Sequence, residues 1–349
     1  MQKKRWGYLI ICCFLMLFAF GCNKNEANDK ENEITNTIVF KYGNNIVTKG
    51  EVYIYIHTIK DRYELQYGED VWQLALPTEE GDVTMVELTK EAVVDEIIRV
   101  KTLSAHASDL EVALTDAQNE EIKKRAEDFF NGLTDEDKRE MELTEDKVYQ
   151  VMQENMLADL TEAKILEDNP IEISDEEARM TTFFDMYFHC YNISPEGNVI
   201  PFSEEDKQKQ YENALQACST LATASIDENE EAENIEKLAQ YYKLEQAKEQ
   251  TLSPTDILEI YGEDIYNLLY SMENGDYSTV IESEYGYHVF QMIELTDRKA
   301  TNGRKDVMRQ EAIKQQLSDT LEKWRNEIDK EFSYPESVNM EIYDTISLQ

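Results

Sequence analysis

Met272-Glu273-Asn274-Gly275-Asp276-Tyr277-Ser278-Thr279-Val280-Ile281-Glu282-Ser283-Glu284-Tyr285-Gly286-Tyr287-His288-Val289-Phe290 holds a glycine turn and the start of a strand hairpin in one short segment. Asn274-Gly275-Asp276 is turn chemistry, since glycine reaches backbone angles other residues resist and its neighbours bond the local backbone. Thr279 to Ile281 reads as a short strand and Tyr287 to Ile293 as a longer one, so the segment closes a hairpin at Gly286. Upstream, Asp264 to Met272 predicts a helix. Met186 to Ile193, rich in aromatics, predicts a strand. Ser203 to Ala224 predicts a helix, Asp227 to Glu233 an acidic loop and Asn234 to Tyr242 a short helix. This β-α-α-α-β-β order predicts a small α+β domain.

Working outward, Lys305 to Lys330 reads as one amphipathic helix, with Ile313, Leu317, Leu321, Trp324 and Ile328 at steps of three and four. Val338, Met340 and Ile342 alternate as in a strand. On the N-terminal side, Ile38-Val39-Phe40 and Ile46-Val47 flank the turn Tyr42-Gly43-Asn44-Asn45. Thr48-Lys49-Gly50-Glu51 then has capping-box spacing and opens a helix to about Glu64. Helical patterns follow from Thr84 to Ala107, from Thr115-Asp116-Ala117-Gln118, and from Thr144 up to the break at Asn169-Pro170. An apolar terminal helix and strand need a partner surface, and the first helices offer one. The expected fold class is therefore α+β: a mainly helical module (38–178), a small α+β domain inserted after it (179–298), and a C-terminal helix and strand (299–349) returning to the first module. No internal repeat is present.

Of 349 residues, 41% are hydrophobic, enough to bury a core, and the formal charge is −39. Such a surface repels phosphate backbones and argues against a nucleic-acid partner. Lys3, Lys4 and Arg5 precede an apolar run from Tyr8 to Phe20 and then Gly21-Cys22, the layout of a secretory signal over residues 1–21. Residues 23–33 hold no large apolar side chain, and 22–37 reads as a flexible tether. Cys190 and Cys218 read as free thiols, with a disulfide between them left open. There is no zinc-type Cys/His spacing, phosphate loop or Ser/His/Asp sequence pattern, so no metal and no cofactor are expected. His57 and His106 lie on predicted helices without partners and read as surface or core residues.

The segment 272–290 closely resembles the C-terminal signature of parvulin-type prolyl isomerases: a glycine turn, a serine, a short strand, then an aromatic-Gly-Tyr-His hairpin. Tyr187-Phe188-His189-Cys190-Tyr191 is similar to that family's opening strand. Ile46-Val47-Thr48-Lys49-Gly50-Glu51-Val52 and the following helices resemble the chaperone module of membrane-anchored foldases, and Ile173-Ser174-Asp175-Glu176-Glu177 their joining segment. The layout resembles the foldase lipoproteins of Gram-positive bacteria and the related periplasmic survival chaperone. Phe18-Ala19-Phe20-Gly21-Cys22 is similar to a lipobox, with Ala19 where leucine is usual. The resemblance implies that Cys22 carries the lipid that anchors the mature chain to the outer face of the membrane.

The resemblance also implies a site. His189 and His288 would be the paired histidines behind a proline slot, and Glu245 the acidic residue facing the substrate amide. Tyr261 and Ile265 would be the apolar wall of the slot, with Tyr270 a nearby aromatic. The partners implied are unfolded or partly folded exported polypeptides, and a homodimer is left open. Two departures fall on the slot. Residues 246–256 lack the family's glycine-rich loop, and Tyr261 and Ile265 stand where methionine and phenylalanine are usual. Two readings therefore stand side by side: a peptidyl-prolyl isomerase and foldase, or a holdase chaperone with a catalytically degenerate domain.

Overall fold

The computed structural model describes residues 36–78, 81–224 and 235–348. The expected leader, Cys22, most of the tether and the acidic loop at 227–233 lie outside the described residues. The chain divides into two compact units, one running to Asn169 and resuming at Gln316, the other spanning Pro170–Gln315.

In the first unit the antiparallel pair β1 (Ile38–Tyr42) and β2 (Asn45–Thr48) leads into α1 (Lys49–Tyr67). Thr48 caps α1 by accepting from the Glu51 amide, but the reciprocal half of the expected capping box is missing. The Glu51 carboxylate is buried instead against Lys101, Oε1 to Nζ 2.7 Å. An unforeseen exposed hairpin follows, β3 (Ala75–Thr78) and β4 (Gly81–Thr84). Thr84 and Glu87 then form a full capping box that starts α2 (Met85–Ala105). Thr115 and Gln118 do the same for α3 (Asp116–Gly132). The short α4 (Asp135–Glu140) precedes α5 (Glu145–Asp168), capped by Thr144. Val93, Val94, Ile97 and Ile98 of α2 and Val148, Val151 and Ala158 of α5 fill the core. Two chains of period 3.6 are thereby buried against each other.

The second unit is built on an antiparallel sheet of order β8-β5-β10-β9. Its strands are β5 (Thr181–His189), β8 (Lys248–Leu252), β9 (Ile281–Ser283) and β10 (Gly286–Glu294). Between β5 and β8 come a small hairpin, β6 (Tyr191–Ile193) and β7 (Val199–Pro201), and the helices α6 (Glu204–Ala224) and α7 (Ile235–Tyr241). Helix α8 (Pro254–Ser271) follows β8. It is longer than expected because Ser253 and Asp256 form a capping box with Pro254 in the first turn. Strand side chains alternate between faces. Phe184, Met186, Phe188 and Val289 therefore pack with α6 and α7, and Phe183, Phe290 and Met292 pack with α8 through Ile257, Ile265 and Leu269. Strand β8 falls inside residues 246–256, the stretch that lacks the glycine-rich loop.

Helix α9 (Arg298–Asp329) is continuous. Its residues to Gln315 belong to the second unit and those from Gln316 to the first. In the first unit Leu317, Leu321, Trp324 and Ile328 pack on the core. Gly43, in the β1–β2 turn at φ +55°, leaves room for Ile328, whose Cγ2 would lie 2.8 Å from an added Cβ. The expected C-terminal strand is corrected. Val338 makes a single β-bridge with Phe40, and Asn339 then caps a short helix, α10 (Met340–Tyr343). The side chains buried there are Tyr343, Ile346 and Leu348, so Met340 and Ile342 are not alternate members of one strand face. Among the described residues, no helix is long and apolar enough to cross a membrane.

Candidate functional site

The odd-numbered residues of β5 place Phe183, Asp185, Tyr187 and His189 on one face of the sheet. Opposite them in register stand Met292, Phe290, His288 and Gly286 of β10. Gly286 permits this approach, because a Cβ there would run into the Phe188 carbonyl oxygen and the Tyr187 ring. His288 faces Tyr187 directly, with Asp185 on one diagonal and His189 on the other. The imidazole takes the first. His288 Nδ1 lies 2.9 Å from Asp185 Oδ1, and both side chains are buried. His288 Nε2 lies 3.0 Å from Ser283 Oγ on the edge strand β9.

The second carboxylate oxygen, Asp185 Oδ2, accepts from the Tyr261 hydroxyl at 3.0 Å. That hydroxyl in turn accepts from Gln250 Nε2 on β8. Burial first, and then the Asp185 charge, hold the Tyr261 phenol well above its ordinary pKa, so it remains a proton donor. Gln250 donates to Tyr261, Tyr261 to Asp185, and His288 Nδ1–H to Asp185. Ser283 either donates to His288 Nε2 or, when it donates to the Gly286 carbonyl, accepts from it.

Rings enclose the network. Tyr187 stacks on His288 at 4.4 Å between centroids, and Phe290 lies 5.4 Å away on the same histidine. Tyr261 meets His288, Phe183 and Phe290 edge-on at 5.8–5.9 Å. Helix α8 breaks at Gly262, whose φ of +80° favours glycine. Tyr261 thus comes immediately before the bend and the buried Ile265 one turn after it.

Three of the expected residues fall differently. His189 is on the same face as His288 but is not its partner; a carboxylate, Asp185, occupies that position. Glu245 is exposed in the turn after α7, beside a cavity of about 350 Å³ lined by Phe184, Ala239 and Leu244, which belong to the opposite face of the sheet. Tyr270 bonds Thr181 at the far end of β5, 3.1 Å between oxygens, and its ring lies under the Arg179 guanidinium. Cys190 and Cys218 are both free thiols. Tyr261 and Ile265 do line the His288 side. Asp185 and Gln250 escaped the sequence reading. The available signal for Asp185 was a lone acid in the aromatic run Phe183-Phe184-Asp185-Met186-Tyr187-Phe188, since a buried carboxylate requires partners.

The fold also assembles an order that no sequence motif announced, Ser283–His288–Asp185. The Ser283 hydroxyl lies 3.2 Å from the Gly286 carbonyl as well, which competes for its single proton. The network is suited to holding polar groups still rather than to carrying a proton away. Among the described residues, no cluster of three or more His, Cys, Asp or Glu side chains is placed to hold a metal ion.

Residues 193–302 match the model of the PPIC-type PPIase domain. Foldase protein PrsA of Clostridium perfringens is 23% identical over 347 residues, covering 95% of this chain and 92% of its own. Foldase protein PrsA of Caldanaerobacter subterraneus is 19% identical over 292 residues, covering 82% and 83%. The crystal structure of foldase protein PrsA from Streptococcus pneumoniae aligns over 89% of this chain and 98% of its own, at 9% identity and a TM-score of 0.25.

Proposed function

Since the chain carries a domain of the PPIC-type, parvulin family, we propose that it is a peptidyl-prolyl cis–trans isomerase and foldase for exported polypeptides, working at the outer face of the membrane from a lipid on Cys22. The observation that carries this reading is the buried His288, held between Asp185 and Ser283 beneath a wall of Tyr261, Ile265 and Phe290. Isomerisation breaks no bond. Its barrier of about 18–20 kcal/mol is the resonance of the planar amide. A site lowers that barrier by binding the twisted amide better than the planar one, in a place where water does not stabilise the planar form. Fixed polar groups under an apolar wall serve that purpose without changing protonation state. In this reading Asp185 positions His288 and keeps its proton on Nδ1, while Ile265, Phe290 and the Tyr261 ring receive the proline.

A holdase without turnover is the second reading. Two observations favour it: the Tyr261 hydroxyl is already engaged by Asp185, and Glu245 is remote from His288. A cis–trans assay on short Xaa-Pro peptides separates the two. The isomerase reading expects acceleration over the spontaneous rate of tens of seconds, and a drop of about a hundredfold in His288→Ala, the scale for removing one preorganised polar group. A folded sample with no acceleration for any peptide, yet able to suppress aggregation of an unfolded client, would establish the holdase.

A further inference from the structure

Strand β8 forms one edge of the sheet and contributes one side chain to the hydrogen bonds around His288. Gln250 stands opposite Phe183 in the ladder with β5, so its side chain shares the face of Phe183 and Asp185. Its neighbour Thr251 takes the other face and bonds Thr182. Gln250 Nε2 meets the Tyr261 hydroxyl, which reaches Asp185 Oδ2 at 3.0 Å. Donor counting fixes the direction of both bonds. Asp185 accepts and a phenol has one proton, so the hydroxyl takes its second bond from the amide nitrogen. Gln250 thereby leaves Asp185 as the destination of that proton. The part of α8 that carries Tyr261 is lightly held otherwise. Of residues 254–261 Ile257 alone is buried, and Leu258 and Ile260 are 47% and 60% exposed. The bend that follows is not wedged by packing, since a Cβ at Gly262 would meet nothing within 4 Å. Beyond the bend, Ile265 and Leu269 are buried in the core.

We propose that Gln250 is a positioning residue of this site: it commits the Tyr261 proton to Asp185 and so holds the Tyr261 ring, with the turn of α8 that carries it, as a fixed wall of the slot. The proposal rests on the isomerase reading for what the slot does. A wall that moves with the bound peptide follows the planar and the twisted amide alike and favours neither. A fixed wall binds them unequally, which is what lowers the barrier. The same bond acts on the floor of the site. With Oδ2 occupied by Tyr261, Asp185 presents Oδ1 to His288 Nδ1 at 2.9 Å. Without Gln250 the phenol proton is free to turn from Asp185 toward water, and the carboxylate and the ring both lose a fixed partner. Gln250 acts through Tyr261 and not by contact with the reacting amide.

The test compares Gln250→Leu and Gln250→Glu with the unaltered full chain in lipid nanodiscs, each checked by its melting curve. Turnover of short Xaa-Pro peptides is measured across the mildly acidic to mildly basic range, and the His288 ring nitrogens are followed by NMR after histidine-selective labelling. Gln250→Leu removes the donor. Its kcat is expected to fall about tenfold with KM changed less than about twofold, the pattern of an interaction that matters only in the transition state. Gln250→Glu gives a readout that a packing role would not move. Protonated, the introduced carboxyl donates to Tyr261 as the amide does; ionised, it is a second acceptor competing with Asp185 for one proton. Asp185 on β5 raises its pKa, and Lys248, on the same face of β8, opposes that rise. Turnover of this variant is expected to match the parent's under acid conditions and to fall about fivefold or more as pH rises, a limb the parent lacks. A parental kcat in Gln250→Leu overturns the proposal, and so does a parental pH profile in Gln250→Glu. If the unaltered chain shows no turnover, the isomerase reading falls and the nitrogen signals decide: displaced in Gln250→Leu they uphold the positioning role, unmoved they overturn it.

Discussion

Each unit buries a carboxylate against a nitrogen base, and the two arrangements differ in what surrounds them. In the helical unit, Lys101 Nζ sits 2.7 Å from Glu51 and 2.5 Å from Glu154, and Tyr55 and Asn155 close the space beside them. Glu51 is fully buried, and neither of its carboxylate oxygens makes a hydrogen bond of good geometry. In the sheet unit, Asp185 uses both oxygens and His288 both nitrogens, and the rings above them open toward solvent along Tyr187 and Tyr191. A buried charge is therefore no sign of a site by itself. The helical cluster ties α1, α2 and α5 together and leads nowhere, whereas the sheet network forms the floor of an accessible wall.

Lys101→Met should separate the two arrangements most strongly. Removing one partner of a buried ion pair leaves the other unpaired, and the expected loss of stability is about 3–5 kcal/mol. The loss should depend on pH. Burial raises the pKa of the Glu51 carboxyl, and Lys101 opposes that rise. A folded-state value above the unfolded one means that the group's contribution is full below the unfolded value and is lost as pH rises through the folded one. Without Lys101 the folded value rises further, so the deficit of the variant should be larger at pH 8 than at pH 5 in urea unfolding. An equal deficit at both would show that Glu51 does not carry the effect.

Asp185→Asn comes next. The amide keeps the volume but loses the charge, and its one NH2 faces either the Tyr261 hydroxyl or His288 Nδ1–H, each of which needs an acceptor. We expect about 1–3 kcal/mol of lost stability, the cost of an unsatisfied buried group, and a fall in prolyl turnover of about tenfold or more. The nitrogen chemical shifts of His288 should also leave the pattern of an Nδ1–H tautomer. A loss of stability with unchanged turnover and unchanged imidazole signals would make Asp185 a packing residue only.

The sequence disclosed what periodicity and capping control. The four long helices α1, α2, α3 and α5 start where Thr48, Thr84, Thr115 and Thr144 stand, and the hairpin at Gly286 follows from the turn and the alternation after it. It did not disclose pairing across strands. Asp185 and His189 lie four residues apart on one face, and either could have faced His288; only the register Tyr187↔His288 and the packing of Tyr261 from α8 select Asp185. Strand β8 was hidden for a related reason. Lys248-Glu249-Gln250-Thr251-Leu252 has little apolar character, because it is an edge strand whose side chains are mostly exposed. It is held by its ladder with β5 rather than by burial.

Glu245 supplies the smallest expected effect and the finest test of the two faces. The resemblance gives it the place opposite the substrate amide, a role that would make Glu245→Gln costly to turnover. The structure sets it after α7, exposed, beside Phe184 and Leu244, whose side chains belong to the α6–α7 face rather than the Asp185–His288 face. A surface substitution away from caps and buried partners typically changes stability by less than about 0.5 kcal/mol, and a charge outside the slot cannot discriminate between twisted and planar amides. Glu245→Gln should therefore leave turnover within about twofold of the parent, since a 1.4 kcal/mol effect would be required for tenfold. A larger fall would mean that the turn at 243–247 reaches the His288 side when a peptide is bound. The comparison would then have to be drawn between free and occupied states of one site rather than between two sides of one sheet.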